Sequence, residues 1–99
     1  MSETIKSNDV IEKLRHLKPE LKKRYGVTCI GIFGSVARNE AQSGSDIDIV
    51  VDMAPDLLKR VSLKAELELL FGKKVDVVRY WHGMNYYLKA RIDQEAVYV

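Results

Sequence analysis

The run Asp46-Ile47-Asp48-Ile49-Val50-Val51 constrains this chain more than any other segment. Charged and branched apolar residues alternate through its first half with the period of a β-strand. The two carboxylates therefore lie on one face, and Ile47 and Ile49 on the other. Burying the apolar face pins two like charges at the edge of the same sheet. A chain of 99 residues can build one core around such a strand. Residues 1–99 are expected to form a single domain, with no room for separate catalytic and substrate domains. A composition of 46% apolar and 30% charged residues suits a folded globular unit.

The other elements follow from periodicity and punctuation. Asn8 is a candidate cap for a helix in which Val10, Ile11, Leu14 and Leu17 recur at three-to-four spacing. Pro19 predicts a break near Lys18 and a second short helix to about Tyr25, closed by Gly26. Val27 to Phe33 reads as a buried strand ending in the Gly34-Ser35 turn, with a short helix from Ser35 to about Asn39. Asp56 opens a helix to about Phe71, with Leu57, Leu58, Val61, Leu63, Leu67 and Leu70 as its apolar stripe and Gly72 as its stop. Lys74 to Tyr80 is a third strand, placing Val75 and Val77 on one face and Asp76 and Val78 on the other. A helix around Met84 to Ile92 and an apolar end at Ala96 to Val99 complete the chain.

Charge and cysteine content narrow the function classes. A net charge of +2, with basic residues dispersed, does not indicate a long nucleic-acid footprint. No apolar run approaches the roughly 18 residues of a membrane span, and the polar N-terminus lacks a secretory core, so a cytoplasmic location without membrane attachment is expected. Cys29 is the only cysteine, excluding an internal disulfide, and its strand position predicts a buried thiol acting as a small hydrophobe.

Three segments carry possible chemistry. Asp46 and Asp48 present oxygens to one point, as a hard divalent cation requires, although an isolated pair of this kind also suits a solvated strand end. Gly34-Ser35 lets a backbone approach a phosphate closely, with N–H groups and the Ser35 hydroxyl as donors and Arg38 one turn on; the alternative is an ordinary strand-to-helix turn with a serine cap. Asp76 interrupts an apolar strand, either paired with Lys73, Lys74 or Arg79 or joining the site. Together they describe carboxylates that bind magnesium, a further carboxylate that joins them or takes a proton from an attacking hydroxyl, and a turn that holds a triphosphate for in-line displacement.

Gly34-Ser35, ten intervening residues and then Asp46-Ile47-Asp48 resemble the signature of the DNA polymerase beta-like nucleotidyltransferases. The longer runs Gly31 to Arg38 and Gly44 to Val51, followed by Val75-Asp76-Val77-Val78, are similar to the minimal nucleotidyltransferases that partner HEPN-domain toxins. The resemblance implies an α/β (α+β) class: the polymerase beta-like nucleotidyltransferase fold, a mixed sheet flanked by helices. It implies Asp46, Asp48 and Asp76 as catalytic, metal-binding carboxylates for Mg2+, as two ions, and Gly34 and Ser35 as the residues that bind the nucleotide phosphates; Arg38 and Ser45 stand beside these as further nucleotide-binding candidates. It also implies an enzyme, a protein adenylyltransferase moving AMP from ATP to a tyrosine of the HEPN toxin, and hence the antitoxin of a type VII-like pair. Asn39 departs from the pattern, standing where the family more often has glycine.

A transferase this small has little surface left to recognise an acceptor, so the acceptor should come from another chain. Trp81, His82, Tyr86 and Tyr87 are candidates for that docking surface, or else pack the tail helix onto the sheet. His82 has no placed partner and is not read as catalytic. Two other functions stay open: an antitoxin that neutralises by binding alone, and transfer to a small molecule, against which the lack of a second domain counts.

Overall fold

A computed structural model describes residues 6–42 and 44–99. The chain runs α1 (Ser7–Tyr25), β1 (Cys29–Phe33), α2 (Gly34–Ala37), β2 (Ile47–Asp52), α3 (Leu57–Phe71), β3 (Val75–Arg79), α4 (Tyr86–Glu95) and β4 (Val97–Tyr98). The sheet has the order β3-β2-β1-β4. β2 and β3 are parallel, joined by the α3 crossover, whereas β1 pairs antiparallel with both β2 and β4. It is the mixed sheet flanked by helices expected from the sequence.

Alternation divides the core between the two faces of the sheet. Ile30, Ile32, Ile47, Ile49, Val51 and Val75 join Val10, Leu14 and Leu21 of α1 and Leu63 and Leu67 of α3 in the larger cluster. Phe33 and Val50 join Ile92 of α4 in the smaller one. Asp48 and Asp76 therefore share the side of the sheet on which α4 packs.

Four expectations are corrected. α1 is continuous through Pro19. Its inner stripe of Val10, Leu14, Leu17 and Leu21 runs unbroken past the proline, which faces solvent together with Arg15, whose carbonyl loses its amide partner to the ring. Burial on both sides of Pro19 thus outweighs one missing hydrogen bond. The helix also starts one residue before Asn8, and its Ser7 N–H donates to Asn39 Oδ1 at 3.0 Å, so the polar partner arrives from a distant loop. The apolar stripe of α3 is narrower than expected: Leu63 and Leu67 are buried, but Leu57, Leu58, Val61 and Leu70 are exposed. Leu58 and Val61 point away from the sheet because they lie about half a turn from Leu63 on a 3.6-residue period. Cys29 is exposed, because the strand buries its following residues but leaves its first on the surface.

Glycine punctuation holds. Gly26 and Gly72 end α1 and α3 in the left-handed region with φ of 71° and 63°. Asp56 caps α3, accepting from Lys59 N–H at 3.0 Å. Asn39 takes φ 58°, so asparagine adopts the left-handed geometry that glycine takes more readily.

The division of α3 into two faces has a measurable consequence. Leu67→Ala is expected to destabilise the fold by about 2–5 kcal/mol. Leu69→Ala, at a side chain 87% exposed, is expected to change stability by no more than about 0.5 kcal/mol. Denaturant unfolding of the two variants checks the contrast.

Candidate active site

Backbone register builds the site. Phe33, the last residue of β1, stands opposite Asp48, and Asp48 stands beside Asp76 across the parallel pair. One row of the sheet thus carries the Gly34 turn, Asp48 and Asp76 in succession. Asp46 lies two residues before Asp48, exposed at the entrance to β2.

Gly34 is held at φ 74°, and a Cβ on it would fall 2.2 Å from Asp48 Oδ2. Only a residue without a side chain lets the turn close over that carboxylate. Its N–H donates to Glu95 Oε1 at 3.1 Å. Ser35 follows, half-buried in the first turn of α2. Arg38, just beyond that helix, gives its Nε to Glu40 at 2.9 Å and a terminal nitrogen to Glu95 at 3.0 Å. The Ser45 hydroxyl accepts from Gln42 N–H at 3.0 Å, closing the loop that leads into Asp46.

The carboxylates sense one another. Burial first, then the charges of Asp76 and Asp46, push the Asp48 carboxyl above the ordinary aspartate range, while Arg91 and Arg38 oppose the shift. Asp76 is exposed on the edge strand, so solvent meets the cost that its apolar neighbours suggested; Arg79, one expected partner, lies over the Trp81 ring at 5.4 Å. Among the described residues, no three or more His, Cys, Asp or Glu side chains are arranged together to hold a metal ion. The donor set nonetheless suits magnesium: hard carboxylate oxygens, with a half-buried acid whose excess negative charge a cation would relieve.

Glu95 and Arg91 reach the Gly34 turn and Asp48 from α4, and their separation of about 60 residues from the turn leaves no local sequence signal except an i,i+4 charge pair in the tail. The aromatic residues also separate. Tyr86 and Tyr87 are 77% and 78% exposed and stack edge-on to each other, so α4 packs through Leu88 and Ile92 instead. The reading in which those tyrosines glue the helix to the sheet is not met.

The folded chain holds the Asp48 proton to higher pH than the unfolded chain, so at neutral pH the ionised carboxylate costs stability. Asp48→Asn is expected to raise the melting temperature at pH 7 in the presence of a chelator. The gain should shrink as the pH falls through the raised Asp48 value and vanish below the ordinary aspartate range, where both states are protonated. Thermal unfolding across a pH series checks this, and a less stable variant at pH 7 contradicts it.

Residues 14–98 match the nucleotidyltransferase domain family. A relative from Methanocaldococcus jannaschii, provisionally named a protein adenylyltransferase, is 43% identical over 93% of this chain and 96% of its own length. A solved structure provisionally described as a minimal nucleotidyltransferase superposes with a TM-score of 0.69 at 35% identity, covering 88% of this chain and 93% of that one. A toxin–antitoxin crystal structure with AMP-PNP contains a similar chain at a TM-score of 0.66 and 26% identity, covering 93% of this chain and 70% of that one. The row of Gly34, Asp48 and Asp76 across a mixed sheet is thus found in a chain that belongs to the nucleotidyltransferase domain family, among its minimal nucleotidyltransferases.

Proposed function

We propose that this chain is the antitoxin of a type VII-like HEPN/MNT toxin–antitoxin pair and works in the cytoplasm as a single-domain protein adenylyltransferase, moving AMP from ATP to a tyrosine of its HEPN toxin. The observation that carries the reading is the register that sets the Gly34 turn, Asp48 and Asp76 in one row. The relative named a protein adenylyltransferase and the toxin–antitoxin structure with a nucleotide analogue support the activity and the type of partner. The exposed pair Tyr86 and Tyr87 supplies aromatic surface to receive that partner.

In this reading Gly34, Ser35, Arg38 and Ser45 bind the nucleotide, with backbone N–H groups and the Arg38 guanidinium meeting the phosphate charge. The toxin's tyrosine oxygen attacks the α-phosphorus. The new O–P bond forms as the bond to the bridging oxygen breaks, and pyrophosphate leaves. The phenolic proton passes to a carboxylate, a role for Asp76, which stands beside Asp48 and open to solvent. Asp46, Asp48 and Asp76 would hold Mg2+, as two ions, which supply charge neutralisation for the triphosphate and the leaving group. Gly34, which has no side chain to clash with Asp48, would let a phosphate held at the turn lie near the carboxylates.

The test mixes the chain, magnesium and ATP labelled at the α-phosphate with the toxin that co-purifies with it. Label is expected on the toxin. The Asp46→Asn and Asp48→Asn variants are expected to lower the rate by about two orders of magnitude or more. Neutralisation of the toxin without label, equally by wild type and by Asp46→Asn, would replace this reading with inhibition by binding alone.

A further inference from the structure

Glu95 lies where its own helix disfavours it. It is the last residue of α4, and the C-terminal end of a helix repels a carboxylate through the partial negative charge of its unpaired carbonyl groups. The side chain is nevertheless largely covered, at 21% exposure. Its Oε1 accepts from Gly34 N–H at 3.1 Å and from Arg38 at 3.0 Å, with Arg91 3.8 Å away. One oxygen anion is therefore held by a backbone N–H in a glycine turn and two guanidinium groups, a donor set that equally suits a phosphate oxygen.

We propose that the Glu95 carboxylate occupies the seat of a nucleotide phosphate oxygen at the Gly34 turn, so that nucleotide binding displaces it and Glu95 sets the nucleotide affinity. The proposal rests on the reading that the Gly34 turn and Arg38 receive phosphates. Glu95 and a phosphate cannot both take the Gly34 N–H, and an unmoved Glu95 would add a further negative charge beside Asp48 and the triphosphate. Displacement needs only rotation of a long side chain at the end of α4, leaving the anchor Ile92 in place. Arg38 and Arg91 then exchange one oxygen anion for another, and the turn keeps an anionic partner before and after the nucleotide visits. Glu95 is an affinity-setting residue in this scheme and takes no part in bond making.

Calorimetric titration of ATP with magnesium into the wild-type chain and Glu95→Gln tests the proposal, because glutamine keeps the size and an acceptor oxygen but lacks the charge. The variant is expected to bind ATP about three- to tenfold more tightly than wild type. Glu95→Asp, which keeps the charge on a shorter arm, is expected to fall between them, and the Gly34 amide resonance should shift in Glu95→Gln before any nucleotide is added. Equal or weaker binding by a folded Glu95→Gln, with wild type binding normally, overturns this proposal and leaves the proposed function standing. Absence of binding by both chains overturns the phosphate-binding reading and this proposal with it.

Discussion

The parallel pairing of β2 with β3 fixes which side chains enter the core and which stand on the α4 face. Ile47 sits against Val75, Asp48 against Asp76 and Ile49 against Val77, so each step along the pair alternates an apolar contact with a residue on the α4 side. A slip by one residue would send Ile47, Ile49 and Val51 to the other face of the sheet and drive Asp48 into the core. Burial of the isoleucines against α1 and α3 thus fixes the positions of the carboxylates on the opposite face. The antiparallel register with β1 adds the Gly34 turn to the same row.

Charge on the α4 face is balanced across elements distant in sequence. Asp46, Asp48 and Asp76 raise the negative potential at one end of the sheet, and Arg38 and Arg91 offset it. Glu95 bridges those arginines to the turn, so acidic and basic groups interleave around Gly34. The opposite end of the sheet has a different character: a cleft between Ala54–Leu57, Arg60, Arg79 and Trp81, away from the carboxylates. The two ends differ because β2 and β3 run the same way, beginning near their aspartates and ending near Asp52 and Arg79.

Much of this was legible in the sequence where the determinant was local. The alternation at Asp46–Ile49, the left-handed stops at Gly26 and Gly72, the Asp56 cap and the division of β3 into Val75/Val77 and Asp76/Val78 faces follow from a few neighbouring residues each. What was misread depended on tertiary packing. Pro19 stays helical because the apolar stripe on either side of it is buried in one core. Leu58 and Val61 look like core in a leucine-rich helix, yet the sheet covers only one side of α3. Cys29 lies at the exposed start of its strand. For the site, the Gly34 turn and the aspartates were visible as a motif, whereas Arg91 and Glu95 became neighbours of that motif only when α4 folded back over the sheet.

Whether one row of the sheet forms a single nucleotide and metal site can be read by nuclear magnetic resonance of the labelled chain with a non-hydrolysable ATP analogue, replacing magnesium with paramagnetic Mn2+. Line broadening is expected to centre on the amides of Gly34, Ser35, Asp46 to Asp48 and Asp76 and to fade toward Arg79 and Trp81. Broadening centred on the cleft lined by Arg60, Arg79 and Trp81, with the Gly34 and Asp48 amides left sharp, would contradict it.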